Sequence, residues 1–461
     1  MLIREIILTG KVKATPLILL FFLLMILVTF TGGKAYGQLV HLGGSVGTAG
    51  SSMLDMRGAM AYGWNPANLA GTGYPRFSAL ALSGGGMAGN NSFSYLFAAR
   101  TFQEGKWITD GEKEQIMDKL SRYNLLAYTV ASVPLAGISV NNYAFNANFH
   151  SEGMISLPRD VVDFLLYGSL ADKMYDFTKV QAELSNYYSF GVSTAFDVPP
   201  PDYLDLLSVG FTFKFLSGVY FKGLIQSDGH ILTSQSHLDA KGDFILAESR
   251  YGQGMAMDIG IRGENRALKM AYGITLGNIL GSLQWANMDY HLYHADYPNS
   301  FRLQDALTYG YWDQFSYEEI YRGNSIKRRL PSYILMATRK EFPEYKLVGY
   351  GSYYQGLNDV AGHSQMPRLS VGGEYQKYES YPLRAGIALG GLERYSLSIG
   401  AGFKSDYFRC DVGWAWNMGI MGWSNGFSIG ITNYFEAPPP PDFWERLRRK
   451  IESEHINKWD N

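Results

Sequence analysis

The feature that most constrains this chain is a period-2 alternation of large apolar residues with small or polar ones, repeated along most of its length. In the segment LLSVGFTFKFLSG, residues 206–218, one face carries Leu207, Val209, Phe211, Phe213 and Phe215. The other face carries Ser208, Gly210, Thr212 and Lys214. The segment FSIGITNYF, residues 427–435, repeats the split with Asn433 as its one exception. Such strands suit a wall with lipid on one side and a polar lumen on the other.

About 14 to 16 such segments, one of them near residues 91–99, are predicted between residues 76 and 435, and a hairpin turn is predicted at 263–266. Backbone groups in lipid must all be paired, which strands achieve only in a closed barrel. A soluble β-sandwich also alternates, but its outer face would carry Lys, Glu and Thr. The chain is 46% hydrophobic and only 18% charged, with 33 Tyr and 26 Phe, which favours the membrane. We therefore predict an all-β, antiparallel transmembrane barrel of about 14 strands, with these residues facing lipid: Phe211, Phe213, Phe215, Ile259 and Ile274.

The N-terminus has the pattern of an export signal. A basic start precedes an unbroken apolar run, Leu17 to Val28, and Ala35-Tyr36-Gly37 forms a small-x-small cleavage site. The run is short for a spanning helix, although a retained anchor is the alternative. Removing residues 1–37 leaves 36 basic and 41 acidic residues, a formal charge of −5, because four basic residues and one acidic residue are lost. This mildly acidic balance argues against a nucleic-acid partner.

Three stretches depart from the strand pattern. Residues 113–123 and 161–184 have helical spacing, and residues 286–329 are predicted as a long loop over a barrel mouth. That loop holds the candidate metal cluster Asp289, His291, His294 and Asp296. Its spacing matches no specific ligand pattern, so we predict polar surface and no metal or cofactor. His150 beside Ser151, and His230 near Ser234, lack the context of a catalytic triad, so no catalytic residue and no enzyme is predicted. The single Cys410 excludes an internal disulfide.

The stretch GWNPANLAG, residues 63–71, is too irregular for a strand and is broken for a helix by Pro66. Its asparagines cap local backbone groups, so a compact turn needs no sheet partner. The alternative is an ordinary turn before the first strand.

Together with other segments, this stretch resembles the FadL-type outer-membrane barrels, a superfamily of hydrophobic-compound transporters that includes PorV/PorQ-type proteins. The segments run in order over nearly the whole mature chain: 57–59, 65–69, 208–215, 258–261, 273–280, 330–331 and 370–391. The resemblance implies a barrel of 14 strands in which residues 38–75 form a lumenal hatch containing Trp64, Asn65, Pro66, Ala67, Asn68 and Leu69. Asn68 stands where many of the transporters have glycine, so the chain is closer to an uncharacterised branch.

The resemblance implies a bacterial outer-membrane location with both termini periplasmic. It also implies passive transport of a hydrophobic or amphipathic small molecule. The alternative is a non-transporting interaction protein, such as a PorV-like shuttle or anchor for secreted cargo. The expected partners are outer-membrane lipid, a hydrophobic small molecule, and the barrel-assembly machinery through a last strand ending at Phe435.

Residues 436–461 follow the predicted barrel, 76–435, as a separate tail. Ala437 and four prolines form a stiff spacer before a segment, 442–455, that Asp442 caps. Phe443, Leu447 and Ile451 form one apolar stripe beside basic residues, which predicts an amphipathic helix on a periplasmic surface. A solvated tail is the alternative.

Overall fold

A computed structural model describes residues 43–71, 75–102, 108–167, 172–234, 238–297, 316–358, 365–405 and 407–437. The predicted signal peptide, residues 1–37, and the predicted tail helix, 442–455, lie outside the described residues. Within the described ranges, every helix is too short or too polar to cross a bilayer.

Strands dominate the described part of the chain, and every pairing between them is antiparallel. Their bounds are β1 Phe77–Leu80, β2 Gly84–Asn90, β3 Asn124–Val140, β4 Tyr143–Pro158, β5 Lys173–Asp176, β6 Gln181–Val198, β7 Leu206–Thr233, β8 Leu238–Ser249, β9 Tyr251–Asn265, β10 Met270–Ala286, β11 Met288–Tyr297, β12 Ser316–Gly323, β13 Ile326–Arg329, β14 Tyr333–Phe342, β15 Leu347–Gly356, β16 Arg368–Tyr375, β17 Leu383–Gly390, β18 Tyr395–Lys404, β19 Phe408–Asn417 and β20 Gly426–Ala437.

The strands close into a 14-stranded barrel. The wall runs β3, β4, β6, β7, β9, β10 and then β14 through β20 in order. The short strands β1 and β2 together form the remaining position, because both pair with β3 on one side and β20 on the other. Closure leaves the wall without an edge strand, so its backbone groups are paired within the barrel. The predicted fold class is confirmed.

The alternation in the sequence corresponds to the two faces of the wall. In β7, Phe213 and Phe215 are 52% and 48% exposed, whereas Thr212 and Lys214 are buried on the lumenal side. Phe211 and Ile274 are also exposed.

The fifth residue predicted to face lipid, Ile259, is half-buried, and its chain neighbours Asp258 and Gly260 are buried on the inner face. All five therefore lie on the outer face, and lipid contact stays a prediction.

Residues 43–71, which we call the plug, fill part of the lumen. They form the helix Gly43–Gly47 and three 3-10 turns, Met53–Asp55, Gly58–Ala61 and Pro66–Leu69. The helix contacts β17 to β20, and the three turns contact wall strands from β1 to β14. The plug thus touches the wall around much of its circumference, and nearly all of its residues are buried.

Two predictions about the segments before β6 need correction. The predicted strand at 91–99 is wrong, because Ser94 caps a helix, Tyr95–Thr101. The predicted helical insertion at 161–184 is only partly right: the helix is Arg159–Tyr167, and the chain then forms β5 and enters β6.

The helix predicted at 113–123 is present, with bounds Asp110–Lys119. It begins with a capping box between Thr109 and Glu112, which pairs two donors that a helix start leaves unsatisfied.

The predicted long loop at 286–329 is also wrong, because it contains β11, β12 and β13. β7 is 28 residues long and continues past the wall, where β8 and β5 pair with it. β11 pairs with β8, and β12 with β11. We call β5, the outer half of β7, β8, β11 and β12 the projecting sheet. Tyr and His side chains along β11 obscured its alternation in the sequence.

Candidate functional site

The plug turn at Asn65–Leu69 is built by its asparagines and its proline. The Oδ1 atom of Asn65 accepts a hydrogen bond of 2.9 Å from the amide of Ala67, and Pro66 occupies the first position of the 3-10 turn. Pro is suited to that position because its fixed φ fits and its missing N–H is not needed there. The Nδ2 atom of Asn65 donates to the carbonyl oxygen of Ile261 in β9 at 3.0 Å. One side chain therefore shapes the turn and attaches it to the wall.

Two glycines in the wall make room for this turn. Gly210 in β7 and Gly260 in β9 are register partners. A Cβ atom added to Gly210 would lie 2.4 Å from the Ala67 nitrogen, and one added to Gly260 would lie 2.0 Å from Asn65 Oδ1. Both are closer than real Cβ contacts allow, so side chains are excluded where the plug lies on the wall.

Asn68 joins the plug to itself and to the wall. Its Nδ2 atom donates to the carbonyl oxygens of Met53 at 2.8 Å and Met56 at 3.0 Å. Its Oδ1 atom accepts from the guanidinium of Arg262 in β9 at 2.9 Å. Arg262 also donates to the carbonyl oxygen of Leu54 at 2.6 Å. A glycine in place of Asn68 would remove all three side-chain hydrogen bonds.

Arg262 was not singled out by the sequence analysis. Its guanidinium is fully buried and pairs with Glu264 at 2.8 Å. The sequence analysis predicted a turn at 263–266, so Arg262 and Glu264 were not recognised as facing the same side of one strand. In the structure β9 extends to Asn265 and the turn lies at 266–269. Arg262 occupies the same alternate positions as the small, inward-facing residues of its wall strand. This pattern in the sequence could have identified it as a lumenal residue.

A carboxylate of the plug is held by a second basic residue of the wall. Asp55 lies 2.7 Å from the Nε atom of Arg339 in β14 and accepts a hydrogen bond from the Tyr350 hydroxyl. Burial alone would raise the pKa of Asp55, but Arg339 and the Tyr350 hydrogen bond, aided by Arg57 and Arg409, lower it to about 2. Asp55 is therefore ionised at neutral pH.

Buried basic residues also lie beside the first helix of the plug. Arg384 pairs with Glu374 at 2.6 Å and Asp411 at 2.7 Å, next to Gly44. Arg368 donates to the carbonyl oxygen of Ala49 at 2.7 Å. The plug is thus bound to several sides of the wall by charged groups.

A cavity of about 100 Å³ lies between the plug residues 62–64 and the wall. Its lining mixes aromatic side chains with polar and charged ones. The aromatic residues are Tyr62, Trp64, Tyr187 and Tyr333. The charged or titratable residues are His150, Glu152 and Lys214. The cavity is small for a drug-sized ligand, for which roughly 300 Å³ or more is usual.

Lys214 is held firmly at one side of this cavity. Its Nζ atom lies 2.7 Å from a carboxylate oxygen of Asp258 and donates to Asn278 Oδ1 at 2.9 Å. The same ammonium lies 5.4 Å from the centroid of the Tyr62 ring. A buried cation with this many partners is a compensated charge.

His150 and Glu152, both in β4, also line the cavity. His150 Nε2 is 2.8 Å from Ser189 Oγ, which also accepts a hydrogen bond from the Tyr62 hydroxyl at 2.8 Å. The His150 ring stacks on Tyr187 with 4.9 Å between centroids, and Tyr187 donates to Glu152 at 2.8 Å. The plug and the wall are therefore linked through one polar network at the cavity.

The candidate metal residues do not converge. Strand alternation in β11 puts Asp289 and His291 on one face of the projecting sheet, and His294 and Asp296 on the other. His294 lies 2.6 Å from Asp243 instead. Within the ranges that the structure describes, no group of three or more His, Cys, Asp or Glu side chains is arranged to hold a metal ion.

The candidate pair His150 and Ser151 is not brought together as nucleophile and base either. His150 and Ser151 are neighbours in β4 and point to opposite faces, and His150 contacts Ser189. His230 lies 3.8 Å from Asp239 in the projecting sheet.

These observations define a class of protein: a closed 14-stranded barrel whose lumen holds a folded N-terminal plug. By sequence, a family of unknown function, DUF5723, matches residues 66–278, and no curated protein matches the chain. Among solved structures, a Pseudomonas aeruginosa FadL homologue is similar, with 12% identity, a TM-score of 0.49, and coverage of 87% of this chain and 100% of that one.

The P. putida toluene transporter TodX is similar as well, with 9% identity, a TM-score of 0.46, and coverage of 87% and 99%. The CymD monoaromatic hydrocarbon channel has 12% identity, a TM-score of 0.47, and coverage of 87% and 98%. The predicted resemblance to FadL-type barrels is thus found among solved structures. Because these TM-scores are below 0.5, the barrel is assigned from the strand pairing of this chain and not from the similarity.

Proposed function

We propose that this chain is a bacterial outer-membrane channel through which a small amphipathic molecule passes passively, with residues 43–71 as a movable plug. The observation that carries the proposal is the cavity bounded on one side by the plug and on the other by the wall. Because the two share this cavity, movement of the plug would connect it to the rest of the lumen. The proposal involves no enzymatic reaction.

The apolar outer face of the wall supports the membrane location. Phe213 and Phe215 belong to an outward row of the kind that contacts acyl chains, and lipid is the partner proposed for it. At the barrel end where β20 finishes, the hairpin turns are short, as at 141–142 and 343–346. The projecting sheet lies at the other end of the barrel. Outer-membrane barrels have short periplasmic turns and longer extracellular loops, which supports periplasmic termini.

The fixation of the plug explains why passage would be selective. Arg262 and Asp55 each link plug to wall through buried charged groups, so an aqueous opening would require these contacts to separate. Separation into a hydrated lumen costs less than separation into lipid, because water replaces the lost partners. The plug is thus attached but removable.

Liposome swelling tests the proposal with solutes that carry a permanent charge and do not cross bare lipid. The two probes are butyltrimethylammonium and butanesulfonate, both small amphipathic ions. Liposomes containing the wild-type barrel should swell faster than protein-free liposomes with at least one probe. Deletion of residues 43–71 should accelerate swelling with both, and Arg262→Ala should have an intermediate effect.

Asn142→Ala is a matched control for these variants. It removes one hydrogen bond, from Asn142 Nδ2 to the Ala195 carbonyl oxygen at 2.8 Å, in the hairpin turn between β3 and β4. It should leave swelling unchanged. Passage of neither probe through the wild type, with a correctly folded barrel, would overturn the transport proposal.

The projecting sheet favours a second candidate, a non-transporting interaction protein that holds secreted cargo. β12 pairs with β11 on one side, and its Tyr317 and Ile320 are 54% and 62% exposed. Exposed apolar residues near a sheet edge are typical of interaction sites. Under this alternative, Ile320→Lys would release a cell-surface protein into the medium, and no probe would pass the wild-type barrel.

A further inference from the structure

The apolar outer face of the wall ends beside strand β13. Register partners on adjacent strands lie on one face of a sheet, so outward residues form rows across β7, β9, β10 and then β14 or β13. One row is apolar on all four strands: Phe211, Ile259, Leu276 and Ile334. Nearer the projecting sheet, one row contains Phe215, Met255, Ser282 and Arg329, and the next, polar throughout, contains Ser217, Gln253, Gln284 and Lys327. Two basic residues therefore lie where the apolar surface changes to a polar one.

Lys327 and Arg329 are both exposed on this face of β13. Alternate residues of a strand are about 7 Å apart, so the two side chains can contact one ligand. Among the residues that the structure describes, neither has an acidic partner, and their register partners on β10 are uncharged. Arg328, between them, points to the opposite side, where it pairs with Glu183 at 3.3 Å. The two outward cations are thus placed to bind an anion.

Three basic residues of the projecting sheet differ in this respect, because each has an acidic partner. The pairs are Lys222 with Glu248 at 3.7 Å, Lys241 with Asp296 at 3.3 Å, and Arg322 with Asp289 at 3.4 Å. These charges are compensated within the protein, whereas those of Lys327 and Arg329 are not compensated within the described part of the chain.

We propose that Lys327 and Arg329 bind the phosphate monoester of an anionic glycolipid in the outer leaflet, with its acyl chains against Phe215 and Met255. Headgroups lie between the hydrocarbon and the water, which is the level at which these cations follow the apolar rows. Arginine binds phosphate through two parallel hydrogen bonds, and lysine adds a point charge. This inference rests on the proposed function for the membrane location and for the orientation of the barrel.

The charge of the ligand favours a monoester over an ordinary phospholipid. A phosphate monoester carries about −1.5 to −2 at pH 7 and has three acceptor oxygens. The phosphodiester of a phospholipid has lost one acidic oxygen to its second ester bond, so it carries less charge for two adjacent cations.

Mass spectrometry of intact complexes measures lipid binding to the purified full-length barrel. The probes are bisphosphorylated lipid A, the same lipid without its phosphates, and phosphatidylglycerol. The wild type should bind the phosphorylated lipid A about 30-fold more tightly than the dephosphorylated form, because each basic residue at a membrane surface contributes about fivefold. Phosphatidylglycerol should bind with intermediate affinity. Excess inorganic phosphate should not displace lipid A, because it has no acyl chains to contact the apolar rows.

Two double variants with the same change in charge locate the site. Lys327→Gln combined with Arg329→Gln should reduce the affinity for phosphorylated lipid A to that of the dephosphorylated form, whose own affinity should not change. Lys269→Gln combined with Lys346→Gln removes two exposed cations from turns at the other end of the barrel and should alter neither affinity.

Equal binding of the two forms of lipid A, displacement by inorganic phosphate, or equal or tighter binding of phosphatidylglycerol would overturn the inference. An equal effect of the two double variants would overturn it as well. The proposed function is decided separately by liposome swelling, so passage of a charged probe without phosphate-dependent lipid binding would reject this inference alone.

Discussion

Replacing Asn68 with alanine should open the plug without unfolding the barrel. The change removes the bonds to the carbonyl oxygens of Met53 and Met56 and the bond from Arg262. Each is buried, and a hydrogen bond of this kind contributes about 1 kcal/mol. Arg262 keeps its bond to Leu54, so the loss totals about 3 kcal/mol of local stability, from three bonds.

Native-state hydrogen exchange measures this loss, because exchange from the plug reports its local opening. The amides of Trp64, Asn68 and Ala70 donate within the plug, to the carbonyl oxygens of Ala61, Asn65 and Ala67. A loss of about 3 kcal/mol corresponds to exchange roughly 150-fold faster at these amides.

The wall should keep its protection, and Asn142→Ala should change no plug amide. Asn68→Asp retains an acceptor for Arg262 but directs a carboxylate at two carbonyl oxygens, so it should accelerate exchange as well. Acceleration below about twofold in Asn68→Ala would refute the account of how the plug is held.

Three further predictions concern the plug and the wall. The pKa of Asp55 is lowered from 3.8 to about 2, so its carboxylate should stabilise the plug by about 2 kcal/mol above about pH 4. This contribution should be lost as the pH falls through 2. Exchange of the plug amides should therefore accelerate over that pH range in the wild type, and less so in Asp55→Asn. Gly210→Val should expel the turn at Asn65–Leu69 and expose the plug to protease, because even a Cβ atom at Gly210 would lie 2.4 Å from the Ala67 nitrogen. Gly373→Val should not, because a Cβ atom there would have its nearest neighbour at 3.5 Å. Equal cleavage of both variants would contradict the packing argument. Phe435→Ala, which removes an exposed aromatic residue near the end of β20, should slow barrel assembly, visible as delayed appearance of the heat-modifiable form; an unchanged rate would exclude Phe435 as an assembly signal.

The wall was predictable because each of its strands carries the same local signal. An inward row of Ser, Thr and Gly beside an outward row of Phe, Ile and Leu indicates which side of the sheet is the outer face of the barrel, whatever the strand's partners are. The projecting sheet was missed for the same reason. β11 lies in the projecting sheet, outside the barrel wall, and Tyr290, His291 and Leu292 follow no alternation that a single sequence reveals.

The site was less predictable because it depends on contacts between distant parts of the chain. Asn65 and Pro66 are a recognisable turn, but nothing local indicates that the turn lies on Gly210 and Gly260. The ion pair of Lys214 with Asp258 joins two wall strands, and the cavity beside it exists only where Tyr62 approaches the wall. The ion pair depends on the pairing of β7 with β9, and the cavity depends on the approach of the plug to the wall.

The chemistry of the plug contacts bears on whether it moves. An apolar group leaving its site exposes surface to water at about 25 cal/mol per Å², with nothing gained in return. A hydrogen-bonded group exchanges one partner for water and loses only about 1 kcal/mol. Met53, Leu54 and Trp64 do pack in an apolar cluster with wall residues such as Leu335. The turn at Asn65–Leu69 and the carboxylate of Asp55, in contrast, are held by polar groups that water can replace. Opening should therefore begin at these polar contacts, while the apolar cluster keeps the rest of the plug inside the barrel.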